Sequence, residues 1–302
     1  MGDPPTPPRH RRITITFIKR GIMRIVITGA NGQLGQALQG MLNEQGETVI
    51  PTDTPEFDIT QHTIVQKLAG LNPDLVIHCA AMTNVDGCAK DPDMAFRVNA
   101  FGSQNVAHAC LRSNAAMVYI STNEVFDGQS SQPYQEADRT NPINPYGSSK
   151  RSGEQMVARY VQNLYIVRTA WLFAPGGNNF PSKIIAAADA KKELKVVDDE
   201  VSNPTYTPDL AQAVVQLIRT RAYGAYHLTN AGYCSRYAFA REILRLSGRE
   251  NVPIQPIKLA EYQRASAVPP FAPLANVNAA ELGIQLRSWQ EALVDYFARE
   301  SF

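Results

Sequence analysis

The stretch Arg24-Ile25-Val26-Ile27-Thr28-Gly29-Ala30-Asn31-Gly32-Gln33-Leu34-Gly35 constrains the fold of this chain more than any other. A short β-branched run meets three glycines. Leu34, Leu38, Met41 and Leu42 then recur at helical spacing until Gly46 stops them. At such a switch the first glycine permits a tight turn, the second lets backbone approach a pyrophosphate, and the third lets helix and strand pack closely. The helix N-terminus offers free N–H groups and a positive dipole end to phosphate. A glycine pattern alone is a weak signal; its place between the first strand and the first helix makes it a specific one. Gly29, Asn31, Gly32, Gln33, Leu34 and Gly35 are therefore candidate dinucleotide-binding residues.

The alternation continues. "TVIPTD", "PDLVIHCAA", "AAMVYIST" and "LYIVRTAWLF" read as strands. "ITQHTIVQKLAGL", "DPDMAFRVNAFGSQNVAHACLRSN" and "PYGSSKRSGEQMVARYV" read as the helices between them. Near-continuous apolar strands separated by long helices predict parallel βαβ units and a sheet covered on both faces. The expected class is α/β: a Rossmann-type doubly wound parallel sheet with a smaller α/β C-terminal substrate lobe. Residues 23–170 form the NAD(P)-binding part in this reading, and 207–230 return to it. Residues 171–206 and 231–302 form the lobe. In the second half, Thr207 is the expected N-cap of a helix with Pro208 at its first position, and Ser288 the expected cap of the last helix.

Composition narrows the functional classes. The 302 residues are 44% hydrophobic, enough for a large core, and the net charge of +1 gives no reason to expect nucleic acid or an acidic membrane surface. No apolar run approaches the ~20 residues of a membrane span. Cys79, Cys88, Cys110 and Cys234 show no metal-ligand spacing, so they read as reduced thiols of a cytoplasmic protein. No metal site is expected. His78, inside an apolar run, reads as a satisfied core residue. Residues 1–22, rich in proline and basic side chains, read as a disordered extension or as lying ahead of a start at Met23, with a short edge strand over 13–17 as an alternative.

Two features carry chemistry. Asp53 closes the second strand, where a carboxylate can accept hydrogen bonds from the adenine ribose hydroxyls; this favours NADH over NADPH, although Thr52 and Thr54 can also serve a phosphate. Asp58 and Ile59 lie where a following loop can cover the adenine. Tyr146 and Lys150 are four apart at the start of a helix and share a face. A nearby ammonium is expected to lower the phenol pKa and bring acid–base work near neutrality. "YISTNEVFDG" ends the fourth strand on four polar residues, costly unless partnered. Ser121 or Thr122 can there hydrogen-bond a carbonyl while Tyr146 protonates it; Thr122 is the choice.

The set Gly29 to Gly35, Thr122, Tyr146 and Lys150 resembles the extended short-chain dehydrogenases/reductases. "CAAMTNVDGCAKDPDMAFRVNAFGSQNVA", "YISTNEVFDG", "PYGSSKRSGE", "IVRTAWLFAPGGNNF", "NPTYTPDLAQAV" and "GAYHLTNAGYCSRYAFAREI" narrow it to a resemblance to the dTDP-4-dehydrorhamnose reductase family. The likeness runs from about Met23 to the end. It implies hydride transfer from NADH or NADPH to a nucleotide-linked 4-keto sugar. Thr122, Tyr146 and Lys150 would be catalytic. Ala80, Ala81, Thr83 and Asn99 would serve the cofactor, Asn99 by supporting Lys150. Asn123, Glu124, Phe126 and Trp171 would meet the substrate. The family's "STDYVFDG" reads "STNEVFDG" here, and its "YTNVD" reads "MTNVD". Some members hold Mg2+ at a dimer contact; its glutamates do not map onto this chain, and a homodimer is left open. Two other readings stand beside the reductase. One is a non-catalytic cofactor-binding protein like the regulatory subunit of methionine adenosyltransferase. The other is an epimerase or dehydratase, the latter needing an Asp–Glu pair of which Asn123-Glu124 supplies half.

Overall fold

The structure is a computed structural model in which residues 21–190 and 193–300 are described; the expected strand over 13–17 lies outside them. Six strands build one sheet: β1 (Arg24–Thr28), β2 (Thr48–Thr52), β3 (Leu75–His78), β4 (Ala116–Thr122), β5 (Leu164–Thr169) and β6 (Gly224–His227). All neighbours pair in parallel, in the order β6-β5-β4-β3-β1-β2. The chain leaves β1 for β2 on one side and then crosses back to β3 on the other. Connections that diverge from β1 open a crevice at the carboxyl ends of the strands.

Among the described residues the α-helices of seven or more residues are α1 (Gln33–Glu44), α2 (Ile64–Gly70), α3 (Ser103–Ser113), α4 (Pro145–Tyr160), α5 (Phe180–Ala190), α6 (Thr207–Thr220), α7 (Arg236–Leu246) and α8 (Trp289–Arg299). Alternate strand residues serve opposite faces. Ile25, Ile27, Ile77 and Val167 pack with Leu34, Leu38 and Leu42 of α1 and Leu210, Val214 and Leu217 of α6. Val26, Val76, Met117 and Tyr119 pack with Leu68 of α2, Val106 of α3 and Val157 of α4. Both faces are covered, which is why these strands carry so few polar residues. Beyond β5, Phe173, Tyr206, Phe239, Trp289, Leu293 and Tyr296 make a separate core, next to a parallel pair of short strands, Leu194–Val197 and Ile254–Ile257. Ser288 caps α8 as expected, in a reciprocal box with Glu291.

Three local expectations are corrected. The helix expected from residue 59 begins at Ile64, because Asp58 takes both the N–H and the hydroxyl of Thr60 and holds the chain in a turn. The single long helix expected after Asp91 is broken by a π-helical turn, Arg97–Gly102, between Pro92–Phe96 and α3. The cap position of α6 is Tyr206; the fully buried Thr207 gives its hydroxyl to the Phe173 carbonyl at 3.1 Å instead.

One buried ion pair fixes α4 to the sheet. Arg168 of β5 donates Nε and Nη2 to the two carboxylate oxygens of Glu154, both at 2.9 Å. Ser121 of β4 donates to Glu154 Oε1 at 2.6 Å, and Arg151 adds a fourth bond at 3.2 Å. Removing one member leaves an uncompensated buried charge, at a cost of roughly 3–5 kcal/mol. Glu154→Ala is therefore expected to lower the unfolding free energy in urea by at least about 3 kcal/mol; a loss below about 1 kcal/mol, the scale of an exposed pair, would show that the pair does not hold α4 in place.

Candidate active site

The carboxyl ends of β1 to β5 open into a cavity of about 760 Å³. The phosphate loop forms one end. Gly29 has φ +68°, and a Cβ there would lie 2.6 Å from the Ala80 nitrogen. A Cβ on Gly35 would lie 2.4 Å from the Gly29 carbonyl oxygen. Both glycines are thus demanded by backbone packed behind them, while Gly32 meets nothing closer than 3.3 Å. Gly32 occupies the cap position of α1 without a side-chain cap, so the first-turn N–H groups carry no side-chain partner. A cradle of small residues ending in free N–H donors fits a dinucleotide pyrophosphate.

Gly29, Gly32, Gln33, Leu34, Gly35, Asp53, Asp58, Ile59, Ala80, Ala81 and Thr83 all line this cavity. Asn31 lies on the outer side of the loop, where its N–H bonds Asp53 Oδ2 at 2.9 Å. Asp53 Oδ1 takes the Thr54 N–H at 2.8 Å. Oδ1 also takes the Thr54 hydroxyl at 3.5 Å, and Oδ2 keeps a further lone pair for a ribose hydroxyl. Hydrogen bonds from Thr60 hold the Asp58 carboxyl below its ordinary range.

Thr122, Glu124, Tyr146 and Lys150 meet at the other end of the cavity. Asn144 caps α4 by accepting the Gly147 N–H at 2.8 Å. A Cβ on Gly147 would lie 2.0 Å from the Glu124 carbonyl oxygen, so glycine lets α4 seat its first turn against the end of β4. Burial pushes the Tyr146 phenol pKa up, the Glu124 charge adds to this, and the Thr122 hydroxyl pulls the other way. The expected lowering of the phenol by lysine is thus corrected: desolvation dominates and keeps the proton on Tyr146. Burial also brings Lys150 down to about 7. Its Nζ sits 4.2 Å from the centroid of the Tyr119 ring.

Three further expectations change. Asn99 does not reach the cavity. Its amide bonds both the Met82 N–H and carbonyl and the Ser149 hydroxyl, while its own carbonyl and that of Lys150 both accept from the Tyr119 hydroxyl. It positions the lysine helix through backbone, from within the π-helical turn. Phe126 is fully buried between Tyr134, stacked at 4.2 Å, and His227, so it is core and not a cavity wall. Asn123 lines the cavity, yet its NH2 group is spent on Ser202 Oγ and the Ala272 carbonyl, at 3.1 and 3.2 Å. Ser121 is held by Glu154, whereas the Thr122 hydroxyl donates to Asn123 Oδ1 at 3.3 Å, accepts the Glu124 N–H at 3.2 Å and faces Tyr146 in the cavity.

Trp171, at φ +41°, lines the cavity with Arg236 stacked 3.5 Å from its ring centroid. Arg236 opens α7; it lies within the stretch GAYHLTNAGYCSRYAFAREI, which by itself gives it no site role. The same holds for Thr169 of IVRTAWLFAPGGNNF, whose buried hydroxyl has no partner among the described residues and neighbours Thr122 in the β4–β5 register. His78 is a satisfied core residue, between Thr28 and Ser103 hydroxyls at 2.6 and 3.0 Å. Among the described residues no helix is long and apolar enough to cross a membrane.

Comparison with known proteins agrees with this geometry. The family described as RmlD substrate binding domain matches residues 23–302. The spore coat polysaccharide biosynthesis protein SpsK of Bacillus subtilis is 38% identical, over 92% of this chain and 98% of its own length. The crystal structure of a dTDP-4-dehydrorhamnose reductase from Clostridium acetobutylicum is similar at TM-score 0.88 and 42% identity, covering 91% of this chain and 99% of that one. A dTDP-4-dehydrorhamnose reductase from Bacillus anthracis, in complex with NADP, is similar at TM-score 0.89 and 39% identity, covering 92% and 99%.

Burial raises the Glu124 carboxyl to about 7. The folded state therefore binds more protons than the unfolded chain between the ordinary glutamate pKa and about 7, and the stability from this group is lost as pH rises through that window. Glu124→Gln is expected to remove this loss. Its melting temperature relative to wild type should rise between about pH 5 and about pH 8; a constant difference across that range would place the Glu124 carboxyl in water.

Proposed function

The chain belongs to the dTDP-4-dehydrorhamnose reductase family, and from that premise we propose that it reduces the 4-keto group of a dTDP-4-keto-6-deoxy sugar, with dTDP-4-dehydro-L-rhamnose as substrate and dTDP-L-rhamnose as product. The observation that carries the reading is the meeting of Thr122, Tyr146 and Lys150 in the same cavity as the glycine loop. Bound NADH or NADPH supplies the hydride. Gly29 to Gly35 receive the pyrophosphate, Asp53 the adenine ribose, and Lys150 the nicotinamide ribose.

Tyr146 gives its proton to the ketone oxygen as that oxygen gains negative charge. The raised pKa suits this direction, because a reductase needs its acid protonated before the hydride arrives. Thr122 bonds the same oxygen and orients it. Lys150, lowered to about 7 by burial, is able to return a proton to the phenolate near neutral pH. Trp171 and Arg236 form the wall nearer the C-terminal lobe and meet the nucleotide-sugar. The division into a cofactor part, residues 23–170 with 207–230, and a substrate lobe, residues 171–206 and 231–302, belongs to the same proposal, as does work in the cytoplasm.

Purified protein with NADPH or NADH and a dTDP-4-keto-6-deoxy sugar is expected to consume the reduced cofactor; no oxidation with any such sugar would sink the reading. Tyr146→Phe keeps the ring and loses the proton. Its kcat is expected to fall on the order of 10²–10⁴-fold with cofactor affinity unchanged, and retention of a third of wild-type kcat would remove Tyr146 from the mechanism. Asp53→Ala should shift use toward NADPH, since a 2′-phosphate beside the carboxylate meets like charge. Wild type that already uses NADPH better would count against the ribose assignment.

A further inference from the structure

The proposed reduction gives Glu124 no part, although its side chain lines the reaction cavity. Thr122 Oγ1 accepts the Glu124 N–H at 3.2 Å and so fixes the tight turn Asn123–Val125 that carries the carboxyl to the end of β4. Asn144 donates Nδ2 to Glu124 Oε2 at 2.5 Å, from the cap of the helix that bears Tyr146. The second oxygen, Oε1, has no hydrogen-bond partner among the described residues. The charges that face it are spent on one another: Arg236 and Arg264 pair with Glu200 at 3.0 and 3.7 Å, and Arg264 also pairs with Asp86 at 3.3 Å. The Tyr146 phenol and the Cys88 thiol are its remaining titratable neighbours. Burial outweighs both arginines and holds the carboxyl at about 7, where it can take a proton and give it back.

In a 4-keto sugar the acidic C–H bonds are those on the two carbons beside the ketone. We propose that Glu124 is an acid–base catalyst at one of these carbons, so that this chain exchanges the proton of a centre next to the keto group that it reduces. This rests on the reductase reading for the class of substrate. In the step, the carboxylate takes the proton, the C–H electron pair becomes the C=C bond of an enolate, and the carbonyl pair moves to the oxygen. The Tyr146 and Thr122 hydroxyls hold that oxygen. Exchange of the carboxyl proton with water and its return to the same carbon restore the ketone. No oxidant or reductant is consumed.

The test incubates the full chain with NADP+ and a dTDP-4-keto-6-deoxy sugar in D2O. The oxidised cofactor fills its site and offers no hydride. Deuterium is read at C3 and C5 by mass spectrometry and NMR, with NADPH oxidation measured in parallel on the same sugar. Exchange at least tenfold faster than in protein-free solution, falling at least tenfold in Glu124→Gln, is the expected result. Reduction without exchange overturns this proposal and leaves the reductase reading intact; exchange without reduction supports Glu124 and sinks that reading; neither overturns both. Exchange that persists in a Glu124→Gln protein shown by its melting curve to be folded overturns the assignment. Should that variant not fold, the wild-type pH profile decides. Blank-corrected exchange that rises about tenfold from about pH 6 to about pH 8, as a group of pKa near 7 dictates, supports it, and a flat profile overturns it.

Discussion

The ion pair between Glu154 and Arg168 sets the position of the helix that carries Tyr146 and Lys150. Glu154 lies one helical turn beyond Lys150 and two beyond Tyr146 on α4, and its two oxygens are gripped in parallel by the Arg168 guanidinium of β5. Bidentate pairs fix orientation as well as distance. Ser121 adds a bond from β4 to the same carboxylate. The helix is thereby locked in rotation against β4 and β5, with Tyr146 brought to the strand end where Thr122 emerges. The polar run after the fourth strand is explained residue by residue. Ser121 belongs to this lock, Thr122 to the cavity, Asn123 to the C-terminal lobe and Glu124 to the cap of α4.

Burial then sets protonation. Tyr146 and Glu124 are pushed up and Lys150 is pushed down by the same cause, loss of water. The result is a cavity in which the phenol keeps its proton while Glu124 and Lys150 both titrate at about 7. No pairwise contact would predict this from the residue types. A lysine four residues after a tyrosine suggests an ammonium acting on a phenol, yet the ammonium lies over the Tyr119 ring and desolvation governs the phenol.

What the sequence made legible was periodic or local. The glycine switch, the first five parallel strands and the Tyr–Lys spacing are short-range patterns, and each is found where the pattern put it. Apart from element boundaries, the misses at the site are long-range. Phe126 reads as an exposed aromatic beside a site, but Tyr134 and His227 arrive from distant segments and enclose it. Asn99 reads as a polar residue within helix, and the π-helical turn that sends its amide to Met82 and Ser149 leaves no signal in composition. Arg236 was invisible because its role depends on Trp171, which comes from a different part of the chain.

The two departures from the family pattern at 123 and 124 are adjacent in sequence and unlike in physics. Asn123 bridges the end of β4 to Ser202 and to the Ala272 carbonyl, both in the C-terminal half. An aspartate there has no donor, and its charge would face the Ala272 carbonyl oxygen. Asparagine is therefore matched to the packing of the two halves of this chain, whatever substrate is bound. Glu124 makes no such bridge. Its hydrogen-bond partner is the neighbouring helix cap, and its second oxygen is left to the cavity. Substitution at 123 acts on how the two halves fit together, whereas substitution at 124 acts on the charge lining the cavity. The Glu124 carboxyl is instead tied to Asn144, the residue that caps the helix bearing Tyr146, so one side chain sets both groups at the end of β4.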